Sequence, residues 1–125
     1  MAILQIITNN PAVVNAYPDE ARFRETDVSG VFAAVRDMVH MGAALVSHPL
    51  SGSVKPWESP YKSVAVSPPP GSLCLDSLDR IESAIGMLRG RGARRADCDA
   101  RALEDFAAID LDIIKSAMES AGVVF

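Results

Sequence analysis

The sequence has few of the residues that build metal and disulfide sites. Its two cysteines, Cys74 and Cys98, are not a Cys-x-x-Cys pair and have no further cysteines around them, which excludes a disulfide framework. Its two histidines, His40 and His48, have no third histidine or cysteine at ligand spacing. We therefore expect no metal and no cofactor, and we interpret both cysteines as packed or idle thiols.

Long apolar runs and a basic N-terminus are also missing. No segment approaches the roughly 20 apolar residues that cross a bilayer, and residues 1–8 lack the charged start of a signal peptide. A net charge of −4 disfavours nucleic acid, because duplex binding depends on neutralising phosphates. We expect a cytoplasmic protein that binds neither membrane nor nucleic acid.

What remains is the composition of an ordinary globular domain. The 125 residues, 49% of them hydrophobic and 22% charged, suffice for one core but not for two. The sequence therefore predicts a single α/β domain over residues 1–125. A strand-rich part is expected at about 1–67 and a helical part at about 75–121.

The first part alternates between strand and helix patterns. Strands are expected over 2–8, 22–28, 43–47 and 62–67, and helices over 12–17 and 30–41. This βαβαβ order predicts a Rossmann-like, mostly parallel sheet of about four strands with flanking helices and a helical C-terminal third.

Polar residues and a glycine mark the ends of the two early helices. Asn9 or Asn10 is expected to cap the first helix, since Pro11 suits its first turn. Ser29 is the expected cap of the second helix, and Gly42 follows its last turn.

The C-terminal third predicts two more helices. Asp76 or Ser77 is expected to cap the first of them, and Asp97 or Asp99 the second, which runs to about residue 120.

Asp110 lies in the middle of the apolar stripe of the last helix. A carboxylate on a buried face must be paired or hydrogen-bonded, because an isolated buried charge is too costly. The alternative is a broken helix, with a strand over 106–109 and Asp110 as the cap of a shorter helix over 111–121. The continuous helix makes Asp110 a possible buried acid.

Two polar loops follow predicted strands. One is residues 8–11 and the other is the long loop 47–63, which holds three of the eight prolines and the only tryptophan. Ligands of open α/β sheets bind at the carboxyl ends of strands, so we expect these loops to meet there.

The middle of the long loop has the chemistry of an anion cradle. Ser51 and Ser53 offer hydroxyl donors, Gly52 permits close approach of the backbone, and Lys55 supplies a positive charge. The spacing matches neither a Walker motif nor a dinucleotide fingerprint, and no Gly-x-Ser-x-Gly elbow is present. The alternative is a rigid loop whose serines satisfy their own backbone.

Three other side chains of the loop allow two readings each. His48 is a candidate general base, since histidine titrates near neutral pH, or a structural residue that pins the loop. Trp57 and Tyr61 fit either a pocket wall or a protein interface, including one between copies of the chain.

Several stretches together resemble the GrdX family. They are Thr8-Asn9-Asn10-Pro11, Arg36-Asp37-x-Val39-His40-x-Gly42, His48-Pro49-Leu50-Ser51-Gly52-Ser53-Val54-Lys55-Pro56 and Pro60-Tyr61-Lys62-Ser63. The likeness continues more loosely through Asp105-Phe106 and Ile109-Asp110 to Lys115. The resemblance implies a small accessory protein associated with glycine, sarcosine and betaine reductase systems. It implies no catalytic residues.

These observations predict a non-catalytic accessory protein that binds a small anionic ligand or an amino-acid reductase component through the loops 8–11 and 47–63. The alternative is a small enzyme acting on a phosphorylated or carbonyl substrate, with His48 as general base. An oligomer with Trp57 and Tyr61 between subunits is a third reading. The predicted ligand-binding residues are Asn9, Asn10, His48, Ser51, Gly52, Ser53, Lys55, Tyr61 and Lys62.

Overall fold

The computed structural model describes residues 4–50, 58–68, 72–89 and 99–121. These residues form three strands and four helices. In chain order they are β1 (Gln5–Thr8), α1 (Pro11–Ala16), β2 (Ala21–Phe23), α2 (Val28–His40), β3 (Ser63–Val66), α3 (Leu75–Leu88) and α4 (Ala100–Ser120).

The sheet is small and mixed, with the strand order β2-β1-β3. Strand β1 runs parallel to β2, with Ile6 opposite Ala21, and antiparallel to β3, with Thr8 opposite Ser63. The predicted Rossmann-like, mostly parallel sheet of about four strands is therefore wrong. The α/β class is confirmed.

The predicted strand that does not form is the segment 43–47. It makes only one isolated antiparallel bridge, from Leu45 to Val66. At two of its residues, hydroxyl groups take the place of ladder partners. The Ala44 amide donates to Ser67 Oγ at 2.8 Å, and the Leu45 amide donates to Ser77 Oγ at 2.9 Å. The amides of Val46 and Ser47 both donate to one carbonyl, Ala65 O. With two amides bonded to side chains and two sharing one acceptor, the segment forms no regular ladder.

Helices cover both faces of the sheet, because neighbouring strand residues point to opposite sides. Ile7, Val64 and Val66 pack against α2 and α3, in a core that is filled by Phe32 and Ile81. On the other face, buried residues of β1 and β3 pack against α1 and α4; this core contains Ile6, Val13, Tyr17, Ala65, Ile114 and Met118. The sheet is thus the middle layer of three.

The helix ends confirm some of the predicted caps. Asn10 caps α1 and Asp99 caps α4, each through a side-chain oxygen that accepts a backbone amide. Gly42 has φ of 104°, a conformation that favours glycine, as expected after α2.

Two other predicted caps are wrong. Helix α2 begins at Val28 with Asp27 as its cap, two residues before Ser29. Helix α3 begins at Leu75, with Cys74 in the cap position, so neither Asp76 nor Ser77 is the cap.

Helix α4 is continuous through Asp110, so the alternative with a strand over 106–109 is wrong. None of the helices in the described ranges is both long enough and apolar enough to cross a membrane.

Candidate functional site

A buried carboxylate lies where α4 meets the sheet. Asp110 is 5% exposed, because α4 packs this face of its helix against β3 and α1. Its Oδ1 accepts a hydrogen bond from the Ser63 amide at 3.1 Å. Its Oδ2 accepts one from Ser63 Oγ at 2.7 Å and one from Asn10 Nδ2 at 3.0 Å. The expectation that Asp110 is hydrogen-bonded on a buried face is confirmed.

The hydroxyl groups of Thr8 and Ser63 form a series of hydrogen bonds that all run in one direction, toward Asp110. The Asn10 backbone amide donates to Thr8 Oγ1 at 2.9 Å, and Thr8 Oγ1 lies 2.7 Å from Ser63 Oγ. Because Ser63 uses its single hydroxyl proton on Asp110, the Thr8 hydroxyl must donate to Ser63. Every donor in this series of hydrogen bonds therefore points toward Asp110, which favours the ionised carboxylate.

Burial opposes that ionisation. Burial raises the pKa of Asp110, while the hydrogen bonds from Ser63 and Asn10 and the charge of Lys62 act to lower it. Burial likewise lowers the pKa of Lys62, and the charge of Asp110 acts to raise it. Desolvation is thus the largest cause of the pKa shift of each group, and the opposite charge of the other group acts against it.

Asn9 ties the segment 58–63 to the end of β1. Its Nδ2 donates to Thr26 O at 2.9 Å and to Pro60 O at 2.8 Å. Its Oδ1 accepts the Lys62 amide at 2.9 Å. One side chain thus holds both the chain after β2 and the chain before β3.

Asn10 joins α1 to α4. Its Oδ1 accepts the Ala12 amide at 3.0 Å, which caps α1. Its Nδ2 donates to Ala107 O at 2.9 Å as well as to Asp110. We call Thr8, Asn9, Asn10, Ser63 and Asp110 the polar cluster.

The loops 8–11 and 47–63 meet as predicted, although for a different reason. We expected two parallel strands to bring them to one edge. They meet because β3 begins at Ser63 and pairs antiparallel with Thr8 at the end of β1. The meeting of the loops is confirmed, and the ligand roles of their residues stay predictions.

His48 lies at the surface near the start of the long loop. Its ring is exposed, and its Nδ1 accepts a hydrogen bond from the Leu50 amide at 3.0 Å. That bond uses the lone pair of Nδ1, so the neutral ring carries its proton on Nε2. His48 does not belong to the polar cluster.

The remaining predicted residues divide into two groups. Tyr61 and Lys62 are buried, at 8% and 7% exposure, beside the polar cluster. The predicted anion cradle, Ser51, Gly52, Ser53 and Lys55, lies outside the described residues, as does Trp57.

Sequence reasoning missed two residues of interest. Ser63 is not among the predicted ligand-binding residues, although it contacts both Thr8 and Asp110. Glu20, which no predicted element or site includes, is only 8% exposed. The proline and aspartate that precede Glu20 are typical of surface turns, so no sequence signal marks it as buried.

The described residues hold no group of three or more His, Cys, Asp or Glu side chains that could bind a metal ion. The hydrogen bonds around Asp110 form a network that connects several elements of the fold. It satisfies a buried charge and joins three elements, α1, α4 and β3, to the segment before β3.

Comparisons with known proteins give one match. The family model described as GrdX-like protein matches residues 5–119, which covers most of the chain. The chain belongs to the GrdX-like protein family. No curated protein and no solved structure matches it.

Proposed function

We propose that this GrdX-like protein is a non-catalytic accessory protein that binds a component of a reductase system through the loop 47–63. Membership in the family supports an accessory role of the glycine reductase type. The choice of the loop as the contact rests on how its two ends are held.

Both ends of the loop are fixed to the sheet. At its start the Ser47 amide donates to Ala65 O at 3.1 Å, and Ser47 Oγ accepts the Ala65 amide at 2.8 Å. At its end Asn9 holds Pro60 and Lys62. A binding loop with fixed ends loses less conformational entropy when it docks, which favours affinity. This double anchoring is the observation that carries the proposal.

The contacts of the polar cluster disfavour a small anion at residues 8–11. The side-chain amides of Asn9 and Asn10 already bond within the protein, so an anion would have to displace those bonds. The Asp110 carboxylate would also repel it at close range. An anion site therefore has support only in the loop itself, through Ser51, Ser53 and Lys55.

The geometry at His48 favours binding over catalysis. A general base needs a free lone pair directed at a substrate proton. The Nδ1 lone pair of His48 is engaged by the Leu50 amide, and the ring is exposed to water rather than enclosed in a cleft.

Binding to purified glycine reductase components tests the proposal. We expect Lys55→Ala and Trp57→Ala to weaken binding by roughly tenfold or more, because a few central side chains dominate most interfaces. Lys115→Ala, which removes an exposed lysine of α4, is the matched control and should bind as wild type.

Equal binding by all variants would contradict the role of the loop, and no binding by wild type would contradict the partner. Thermal unfolding with phosphate and acetyl phosphate forms a separate arm, since ligands of the native state raise the melting temperature. Saturable stabilisation that Lys55→Ala abolishes, without any protein partner, would replace the reductase component by a small anion.

A further inference from the structure

Strand β2 is the edge of the sheet that no described segment covers. In the order β2-β1-β3, β1 lies in the middle, so each outer strand has one free side. The segment 43–47 covers the free side of β3, since its Val46 amide donates to Ala65 O at 2.8 Å. No strand in the described ranges lies beside the outer side of β2. An uncovered strand edge is a template for pairing with another chain.

The pairing of β2 with β1 fixes which backbone groups point outward. The Arg24 amide donates to Thr8 O at 2.8 Å. Backbone groups of a strand point to its two sides in turn, so every second residue faces β1, and Ala21 and Phe23 face outward. The Ala21 amide already donates to Tyr17 O at 2.9 Å. The outer edge therefore offers Ala21 O and both backbone groups of Phe23.

Two arginines lie over this edge without a carboxylate partner. Arg22 Nη1 donates to Ala21 O at 3.1 Å and to Asp19 O at 2.9 Å. Arg24 Nη1 donates to Phe23 O at 3.4 Å. The ion pairs of the described residues involve neither arginine. Both guanidinium groups are therefore open to a stronger acceptor, because a carboxylate binds guanidinium more strongly than a carbonyl does.

The two arginines share one face of the sheet, and Phe23 lies on the other. Arg22 is opposite Ile7, which packs against α2 and α3, and Phe23 is opposite Thr8. Alternation then puts Arg24 on the same face as Arg22. Phe23 is 44% exposed. A strand laid along this edge meets a positive, an apolar and a positive side chain in succession.

We propose that the outer edge of β2 binds an extended segment of a partner protein that carries an acid, an apolar residue and an acid in succession. Phe23 donates one backbone hydrogen bond to the segment and accepts another, as in other cases of strand addition. The two carboxylates of the segment bind the guanidinium groups of Arg22 and Arg24 in place of the carbonyls of β2. Ala21 O is then free to accept a third backbone hydrogen bond.

Acidic side chains beyond both ends of this edge limit the length of the pattern. Asp19 and Glu25 are exposed and flank the two arginines along the chain. A carboxylate placed beyond either arginine meets a like charge, which destabilises strand pairing. The edge therefore favours one short acidic pattern over a long acidic chain.

A second copy of the chain fits this edge poorly. In an antiparallel two-fold pairing, residues equally far from the axis lie opposite each other. An axis at Phe23 places Arg22 and Arg24 opposite each other across the two copies, and an axis at either arginine places that arginine opposite itself. Like charges directly opposite each other destabilise a strand pair. The charges of the edge thus favour a different, acidic partner.

This edge lies on the opposite side of the sheet from the loop 47–63. Strand β1 separates β2 from β3, and the loop ends where β3 begins. Partner binding at β2 therefore does not depend on the proposed function, and either can fail while the other holds.

The test is an NMR titration of the whole chain with short peptides at constant ionic strength. The probe is acetyl-Thr-Glu-Val-Glu-Thr-amide. Its matched control has the same side chains and charge, but its central amides are N-methylated and cannot donate hydrogen bonds. A further peptide has lysine in place of both glutamates. We expect saturable shifts of the Phe23 amide with the probe and none with the lysine peptide. The N-methylated peptide should bind more weakly by roughly tenfold or more, since backbone hydrogen bonds are lost.

An exchange of charge locates the site. Arg22→Glu combined with Arg24→Glu should reverse the preference, so that this variant binds the lysine peptide and not the probe. If the double variant does not fold, Arg24→Gln decides, and it should weaken binding of the probe by roughly threefold, as for other surface pairs. Arg101→Gln, which neutralises an exposed arginine of α4, is the matched control and should bind the probe as wild type.

Equal binding of the probe and the N-methylated peptide would overturn the proposal, because attraction between charges alone does not require an added strand. Unchanged affinity of the double variant for the probe would overturn it as well. A shift of the Phe23 amide that depends on protein concentration without any peptide would make a second copy the occupant of this edge, which also overturns the proposal.

Discussion

Two acidic side chains are buried at opposite ends of β1, and their surroundings differ. Asp110 accepts three hydrogen bonds from Ser63 and Asn10 and has Lys62 as a charged neighbour. Glu20 has one oxygen with no partner at all. The difference teaches that burial alone does not define the role of an acid. A carboxylate whose oxygens have partners helps to hold the fold together, whereas a buried oxygen without a partner costs free energy.

The largest change in the free energy of unfolding is expected when Asp110, the hydrogen-bonded acid, is removed. Asp110→Ala leaves the buried Ser63 amide without its acceptor, takes one of the two acceptors of Asn10 Nδ2, and removes the negative charge that acts on Lys62. The Ser63 hydroxyl must also find another acceptor. We expect the free energy of unfolding to fall by about 3 kcal/mol, because buried donors lose their acceptors. Urea denaturation measures this change.

Asp112→Ala is the matched control, because Asp112 is exposed on the same helix. Its free energy of unfolding should stay close to wild type. Similar values for the two variants would show that the hydrogen bonds of Asp110 contribute little.

A smaller effect is expected when the segment before β3 is released. Asn9→Ala removes three hydrogen bonds, to Thr26, Pro60 and Lys62, and leaves buried backbone groups unpaired. We expect a loss of about 2 kcal/mol in the free energy of unfolding, again measured in urea. Binding of reductase components should also weaken, since the loop 47–63 loses one of its anchors. A variant that keeps full stability and full binding would contradict both statements.

At Glu20 a substitution is expected to raise, rather than lower, the free energy of unfolding. Glu20→Gln removes the negative charge from a buried side chain that has an unsatisfied oxygen. The free energy of unfolding should therefore rise by about 1 kcal/mol. Chemical denaturation measures this change. A clear loss of stability would mean that the carboxylate is satisfied in solution, and the contrast with Asp110 would disappear.

The smallest effect concerns pH. Burial raises the pKa of Asp110 above its ordinary value of 3.8, so the folded chain keeps this proton at pH values where the unfolded chain has released it. Counting this group alone, the free energy of unfolding falls as the pH rises from 3.8 through the folded-state pKa. Carbon NMR of the Asp110 carboxyl group measures the folded-state pKa directly. A midpoint at or below 3.8 would contradict the dominance of burial.

Some of this arrangement could be predicted from the sequence. The apolar stripe of α4 marked Asp110 as a buried acid, since residues at helical spacing share one face. The polar residues after β1 marked the cap of α1 and one side of the polar cluster.

Other parts depended on long-range contacts that a sequence pattern does not encode. The segment 43–47 has a strand composition, yet the hydroxyls of Ser67 and Ser77 accept two of its amides. The direction of β3 depends on the path of the loop before it. Glu20 becomes buried only through tertiary packing, so its unsatisfied oxygen could not be foreseen.

The most direct test is native-state hydrogen exchange of the Lys62 and Ser63 amides. Both donate to side chains of the polar cluster, Asn9 Oδ1 and Asp110 Oδ1. If the cluster is the fixed base of the loop 47–63, these amides exchange only on global unfolding, with the free energy measured in urea. Exchange through local opening, at a free energy well below the global value, would contradict the account.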